Sequence, residues 1–160
     1  MTTETLDPIP NLARLNPTIT QIKEHLEDKG HTFWVAGGAI TAAITGEKIN
    51  DYDVFSPDPV RLSADLKASI GYTTFESEMF DNFIVDGAKV QVIKRYQPTT
   101  VGEIFNTFDF TIVCGAYDGV TFACHDRFWQ DIACRRLVVN RLTFPLKTLE
   151  RIGKYAGRGY

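Results

Sequence analysis

The chain has 160 residues, of which 17 are basic and 20 are acidic, so its formal net charge at pH 7 is −3. A hydrophobic fraction of 44% fits one globular domain with its own core. The acidic balance argues against a broad nucleic-acid surface, which would usually make a domain basic. No apolar run reaches the length of a membrane span, and the N-terminus lacks the features of a signal peptide. We therefore expect a cytoplasmic protein without a membrane partner.

Residues 1–16 show no hydrophobic period, and we predict a flexible or loosely docked arm there, followed by a single domain over residues 17–160. The predicted helices cover residues 18–28, 39–45, 60–70, 100–105 and 146–156. The predicted strands cover residues 33–36, 82–86, 89–95, 111–117 and 120–124, with one more around residues 51–53, and residues 75–83 are ambiguous. The last helix places Leu146, Leu149, Ile152 and Tyr155 on one face.

The cysteines Cys114, Cys124 and Cys134 follow one another at ten-residue intervals, without a close pair. An odd number at this spacing argues against a disulfide framework and against a zinc site. We predict reduced, buried thiols.

The chain is organised around one central stretch, in which a short apolar strand runs into Gly37-Gly38 and then into a helix of small residues. The glycines allow a tight turn and a close approach of the backbone to a ligand. The first amides of the helix, at the positive end of its dipole, form an anion cradle. Taken alone, a Gly-Gly pair is usually only a turn.

The next strand carries Asp51 and Asp53, whose side chains project to the same face about 6–7 Å apart. Two such carboxylates can share one or two hard divalent cations. Mg²⁺ prefers few protein carboxylates together with phosphate oxygens, so the site predicts a phosphorylated ligand. Asp-x-Asp alone is more often an exposed strand edge, but beside the glycine turn it indicates a bound nucleoside triphosphate.

The whole pattern resembles the DNA polymerase β-like nucleotidyltransferase superfamily, and most closely the head domain of tRNA CCA-adding enzymes and bacterial poly(A) polymerases. The likeness extends over roughly residues 20–160 in the family's order. It includes Phe-Asp-Phe-Thr-Ile-Val-Cys-Gly-Ala-Tyr-Asp at residues 108–118, Asp-Ile-Ala-Cys-Arg-Arg-Leu at residues 131–137, and the closing helix that starts near residue 145.

The resemblance implies an α/β fold with a mixed, mainly antiparallel sheet and helices packed on one side. It also implies transfer of a nucleoside monophosphate from an NTP to an acceptor hydroxyl on an RNA end, a protein or a small molecule. Mg²⁺ or Mn²⁺ would bind Asp51 and Asp53, and Asp109 would contact the ribose or support the metal site. The alternative is a purely structural role, in which Asp109 is a cap or turn residue.

The remaining candidates are nucleotide contacts. Gly37 and Gly38 would cradle the triphosphate. Thr41 stands where the family has an arginine, and Lys147 where it has a base-reading arginine. Arg151 belongs to a basic C-terminal quarter, which is either a solvated helix face or a phosphate contact to the triphosphate or to an RNA acceptor.

Three departures from the family leave two function classes open, and Thr41 in place of the arginine is one of them. Gln91 occupies the place of a third carboxylate, and Phe144 that of a base-reading acid. The intact Asp51/Asp53 pair favours an enzyme. The departures favour a nucleotide-binding or interaction module of the same fold that has lost turnover.

Overall fold

The computed structural model describes residues 2–4 and 10–160, and in this part of the chain eight strands form one sheet in the order β1-β8-β7-β2-β3-β6-β5-β4. The strands are β1 (Thr2–Glu4), β2 (Trp34–Ala36), β3 (Tyr52–Phe55), β4 (Phe75–Glu76), β5 (Phe80–Val85), β6 (Ala88–Ile93), β7 (Gly115–Tyr117) and β8 (Phe122–Cys124). The α-helices are α1 (Asn16–Leu26), α2 (Gly38–Thr45), α3 (Pro59–Ile70), α4 (Val101–Phe105), α5 (Phe128–Ala133) and α6 (Pro145–Ala156).

The sheet is mixed, because β3 and β6 run parallel while the other described neighbours are antiparallel. This confirms the predicted α/β fold with a mixed, mainly antiparallel sheet. The β5–β6 hairpin turns at Asp86-Gly87, where both residues have positive φ (48° and 78°), the conformation for which Asp-Gly is preferred in tight hairpins.

The two faces of the sheet are covered differently. One face packs against α1, α2 and α3 in the main core, to which β2 contributes Val35 and β3 contributes Tyr52 and Val54. The other face carries Ala36 and Phe55, and its smaller cluster includes two residues of α4. Since side chains alternate along a strand, Asp53 lies on this second, less covered face.

Residues 10–15 of the predicted arm pack onto the domain. Pro10–Leu15 is a 3₁₀ helix with Leu12 and Leu15 buried, and the Arg14 guanidinium donates hydrogen bonds of 2.8–3.2 Å to carbonyls of Ala42, Ala43 and Glu47 at the end of α2. The backbone of β1 also pairs with β8. Residues 1 and 5–9 of the predicted arm lie outside the described residues.

Two further local expectations need correction. The strand expected over residues 111–117 begins only at Gly115, because Thr111–Val113 forms a 3₁₀ turn in which the Thr111 hydroxyl donates to Asp131 (2.6 Å). The cysteines are free thiols, and Cys114 and Cys124 are buried as predicted, but Cys134 is exposed. No helix among the described residues is long and apolar enough to cross a membrane.

The closing helix α6 is present, but most of its apolar face is uncovered. Leu146, Leu149 and Ile152 are 79%, 63% and 37% exposed, whereas Thr148 and Tyr155 are buried. Tyr155 packs edge-to-face against Phe110. The helix is therefore attached through a narrow edge rather than through the whole apolar face that the periodicity indicates.

Candidate active site

The glycine turn lies directly against the aspartate strand. Gly37 has φ of 84° and caps the N-terminus of α2. A Cβ built there would lie 3.3 Å from the ring of Phe108 and 3.7 Å from Asp53 Oδ2. Both the backbone conformation and the space therefore require glycine at this position. Gly38 has more room, since the nearest atom to its Cβ position is the Tyr155 hydroxyl at 3.9 Å.

Asp53 lies in the middle of the site. In the sheet register it stands between Ala36 of β2 and Gln91 of β6. Within residues 2–4 and 10–160, no hydrogen bond or ion pair to its carboxylate is found. Burial and, next in size, the charge of Asp51 raise the pKa of Asp53 to about 6, against smaller lowering effects of Arg151, Lys154 and Lys89. A carboxylate in this environment is stabilised by any cation that reaches it.

Asp51 precedes β3 and is more exposed. Its Oδ1 lies 3.2 Å from the Nζ of Lys89, which precedes Gln91 by two residues on β6. The two aspartates thus differ, because Asp51 has a cationic partner and Asp53 has none in the described chain.

The basic side of α6 faces the aspartates. Arg151 forms an ion pair with the buried carboxylate of Asp109, and both Arg151 and Lys154 lower the pKa of Asp53. Lys147, one helical turn before Arg151, is exposed and pairs with Glu150 (3.1 Å). Asp109 therefore contacts one of the cations on the basic side of α6.

Asn140 holds the segment that carries Phe108 and Asp109. Its side-chain amide donates to the Phe105 and Phe108 carbonyl oxygens (2.9 and 3.0 Å), and its backbone amide donates to the Asp109 carbonyl (2.6 Å). The sequence gives no local signal for this role, because Asn140 is more than thirty residues away from the segment that it supports.

Thr41 is not exposed in the cradle. It is buried, and its hydroxyl donates to the Ile112 carbonyl oxygen (2.6 Å), so it joins α2 to the 3₁₀ turn that precedes β7. In this structure its side chain therefore contacts the core of the fold.

Gln91 lies beside Asp53, as expected from the third-carboxylate position of the family. The two residues are partners in the parallel β3–β6 pair, and Gln91 Nε2 donates to Asn82 Oδ1 (3.1 Å) on β5. A neutral amide can offer an oxygen to a metal but adds no negative charge.

The side chains present fit a hard divalent cation. Two neighbouring carboxylates, one of them without a partner among the described residues, supply oxygen ligands of the kind that Mg²⁺ and Mn²⁺ take. The described residues hold no cluster of three or more His, Cys, Asp and Glu side chains suited to a metal ion. Water and phosphate oxygens would have to complete the coordination, which is the usual arrangement for Mg²⁺ at nucleotide sites.

Comparison with solved structures agrees with this fold. A CCA-adding enzyme in complex with ATP superposes with a TM-score of 0.74 at 13% identity, over 97% of this chain and 41% of that one. The Thermotoga maritima CCA-adding enzyme complexed with tRNA gives 0.63 at 15% identity, over 86% and 34%. The Bacillus stearothermophilus enzyme in complex with CTP gives 0.60 at 19% identity, over 82% and 34%. At these identities the likeness shows the nucleotidyltransferase-like fold.

Sequence comparison identifies the family. "Gabija anti-defense 2" of Bacillus phage SPbetaL7 is 34% identical over 132 residues, which cover 79% of this chain and 33% of that protein. The chain thus spans about a third of the length of this curated relative. A model of the Gabija anti-defense 2 family matches residues 14–135, and the chain therefore belongs to that family.

Proposed function

We propose that this chain is a nucleotidyltransferase domain that moves a nucleoside monophosphate from an NTP to an acceptor hydroxyl and releases pyrophosphate. One observation carries the proposal. The Asp53 carboxylate, unpartnered in the described chain, lies beside Asp51, against the Gly37 turn and close to the cations of α6. This arrangement combines ligands for a cation with donors for phosphate oxygens.

Each residue has a role in the proposed reaction. Asp51 and Asp53 would hold two divalent cations, which supply activation of the acceptor oxygen and neutralisation of the leaving phosphates. The backbone amide of Gly38, at the N-terminus of α2, would bind a phosphate oxygen. The Gly37 amide donates to the Gly115 carbonyl oxygen (3.2 Å), so Gly37 would contribute the turn that lets phosphate approach the backbone. A neutral Asp53 would bind a cation poorly, so we expect nucleotide binding with metal to weaken below pH 6.

The basic side of α6 would contact the triphosphate. Arg151 and Lys154 lie close enough to affect Asp53, and Lys147 is on the same side of the helix. Asp109 is then a positioning residue, because it fixes the Arg151 guanidinium by an ion pair. An arginine held in this way loses little conformational entropy when it binds phosphate.

The relative's name indicates action against the Gabija defence, and we propose that the acceptor is a component of that defence. A nucleotide attached to a serine, threonine or tyrosine hydroxyl adds a bulky anion to a protein surface, and one attached to an RNA end changes its length and charge. Structural neighbours carry tRNA or nucleotides, so RNA is the acceptor to compare with protein.

A second candidate is a nucleotide-binding module without turnover. Gln91 favours this candidate, because it lies beside Asp53 at the position where a third carboxylate would strengthen metal binding. Its side chain is neutral and forms a hydrogen bond with Asn82. Such a module would bind NTP with metal but transfer nothing.

The test is incubation with each labelled NTP and Mg²⁺ or Mn²⁺, with purified Gabija components or RNA as acceptor. We expect label on an acceptor with the wild type and none with an Asp51→Asn/Asp53→Asn variant. Asp28→Asn/Asp86→Asn is a matched control, since both exposed residues have positive φ, which asparagine tolerates. Metal-dependent NTP binding without transfer would support the module. Equal NTP binding by wild type and double variant would refute the metal site at Asp51 and Asp53.

A further inference from the structure

Lys89 has a position that the proposed function leaves unexplained. It is one residue before Val90, which pairs with Tyr52 in the parallel β3–β6 register, so Lys89 stands opposite Asp51. Its Nζ lies 3.2 Å from Asp51 Oδ1, and the two side chains are 45% and 46% exposed. Gln91 follows two residues later, so Lys89 and Gln91 project from the same face of β6 as the aspartates do from β3.

The ammonium group of Lys89 lies at one carboxylate oxygen of Asp51, and it is also close enough to Asp53 to lower the pKa of that carboxyl. A divalent ion bound to Asp51 would therefore lie within a few ångströms of a fixed positive charge, and the two would repel each other. Lys89 has to leave Asp51 before the ion binds with full strength. Because an exposed ion pair contributes little stability, and a lysine stem is long and flexible, this exchange is easy.

We propose that Lys89 is an exchangeable counter-ion, which neutralises Asp51 in the empty site and passes to a phosphate oxygen when cation and NTP enter together. This inference rests on the proposed function and deepens it. Lys89 makes the binding of the metal alone weak and the binding of metal and nucleotide mutually dependent. In the loaded site, Lys89 contacts the phosphate of the substrate directly.

Binding of Mn²⁺ alone, followed by electron paramagnetic resonance without nucleotide, is the first measurement. We expect Lys89→Met, which removes the charge and keeps the length of the side chain, to bind Mn²⁺ roughly tenfold more tightly at low salt, with a smaller difference at high salt. Lys89→Arg should behave like the wild type. Lys67→Met is the matched control, because Lys67 pairs with Glu76 at similar exposure (51% and 47%) away from the aspartates, and it should change nothing.

Calorimetry with a non-hydrolysable ATP analogue at saturating Mg²⁺ is the second measurement. Here Lys89→Met should bind roughly tenfold more weakly, because the phosphate loses a cation. Lys89→Arg should retain the affinity. Opposite signs in the two measurements are the signature of a counter-ion that changes partner, since a merely structural lysine would shift both affinities in one direction or neither.

The outcomes separate this inference from the proposed function. Equal Mn²⁺ affinity in wild type and Lys89→Met, or a loss of both affinities together, would overturn the counter-ion role while leaving the metal site intact. Absence of Mn²⁺ binding in every variant, with and without nucleotide, would overturn the metal site itself and the role of Lys89 with it.

Discussion

At the level of single residues, Asp53 shows how the proposed site works against the stability of the fold. The carboxylate is partly buried beside Asp51, and no described residue forms a hydrogen bond or an ion pair with it. Its ionised form is therefore less favourable in the folded chain than in the unfolded chain. A cation would remove this penalty, so the same feature that weakens the empty protein strengthens binding.

The pH dependence of stability tests this description of Asp53. Its pKa in the fold is about 6, above the ordinary 3.8, so the folded chain binds an extra proton between these values. Stability therefore falls as pH rises from 4 to 6, and the penalty is complete above pH 6. We expect Asp53→Asn to be more stable than the wild type by about 2 kcal/mol at pH 7.5 in EDTA, with the difference lost near pH 4. Urea unfolding at several pH values measures it, and a constant difference would contradict it.

Sequence reasoning reached some of these residues and missed others for a physical reason. Asp51, Asp53 and the glycines are close in sequence, so their proximity follows from the strand–turn–helix order. Lys89 contacts Asp51 across the parallel β3–β6 pair, and Asn140 contacts a segment that lies more than thirty residues before it. Their contacts depend on a register that no local pattern encodes.

At the level of elements, α6 shows that apolar periodicity along a helix does not by itself predict which side chains are buried. Its spacing predicts one apolar face, yet Leu146 and Leu149 are largely exposed while Tyr155 is buried. A spacing of three and four residues between apolar side chains shows which face of a helix is apolar. It does not show whether another part of the protein covers that face. The basic side of α6 thus depends on a narrow attachment at Thr148 and Tyr155.

Alanine substitutions should reveal this narrow attachment. Tyr155→Ala removes a buried ring that packs on Phe110 and Tyr160, and we expect a loss of about 3 kcal/mol. Leu149→Ala should change the free energy of unfolding by less than about 0.5 kcal/mol, because its side chain is 63% exposed. Chemical denaturation compares the two, and losses of similar size would mean that the exposed face is covered in solution.

At the level of the whole molecule, the α/β class and most helices and strands can be predicted from the sequence. The 3₁₀ helix at residues 10–15 cannot. Residues 10–15 lack a helical period because a 3₁₀ segment of six residues is too short to show one. Leu12 and Leu15 nevertheless enter the main core, and Arg14 caps the C-terminus of α2.

A truncation series should reveal this contribution. We expect a chain that starts at residue 16 to lose about 5 kcal/mol or more, since two core leucines disappear together with the hydrogen bonds that Asn11 and Arg14 donate to carbonyls in and after α2. The substitution Arg14→Met should cost about 1–2 kcal/mol and leave the leucines in place. Urea unfolding with circular dichroism measures both. An unchanged midpoint for the truncated chain would restore the flexible arm of the sequence prediction.

The pairing of β1 with β8 also affects whether copies of this chain can aggregate through the edges of their sheets. Without β1, the unpaired backbone of Phe122–Cys124 would end the sheet as an apolar edge, the kind of edge that recruits strands from other chains. At the opposite end, β4 has two residues, and its Glu76 pairs with Lys67. Short and charged strands of this kind are poor templates for further strand addition, so both borders of the sheet oppose aggregation.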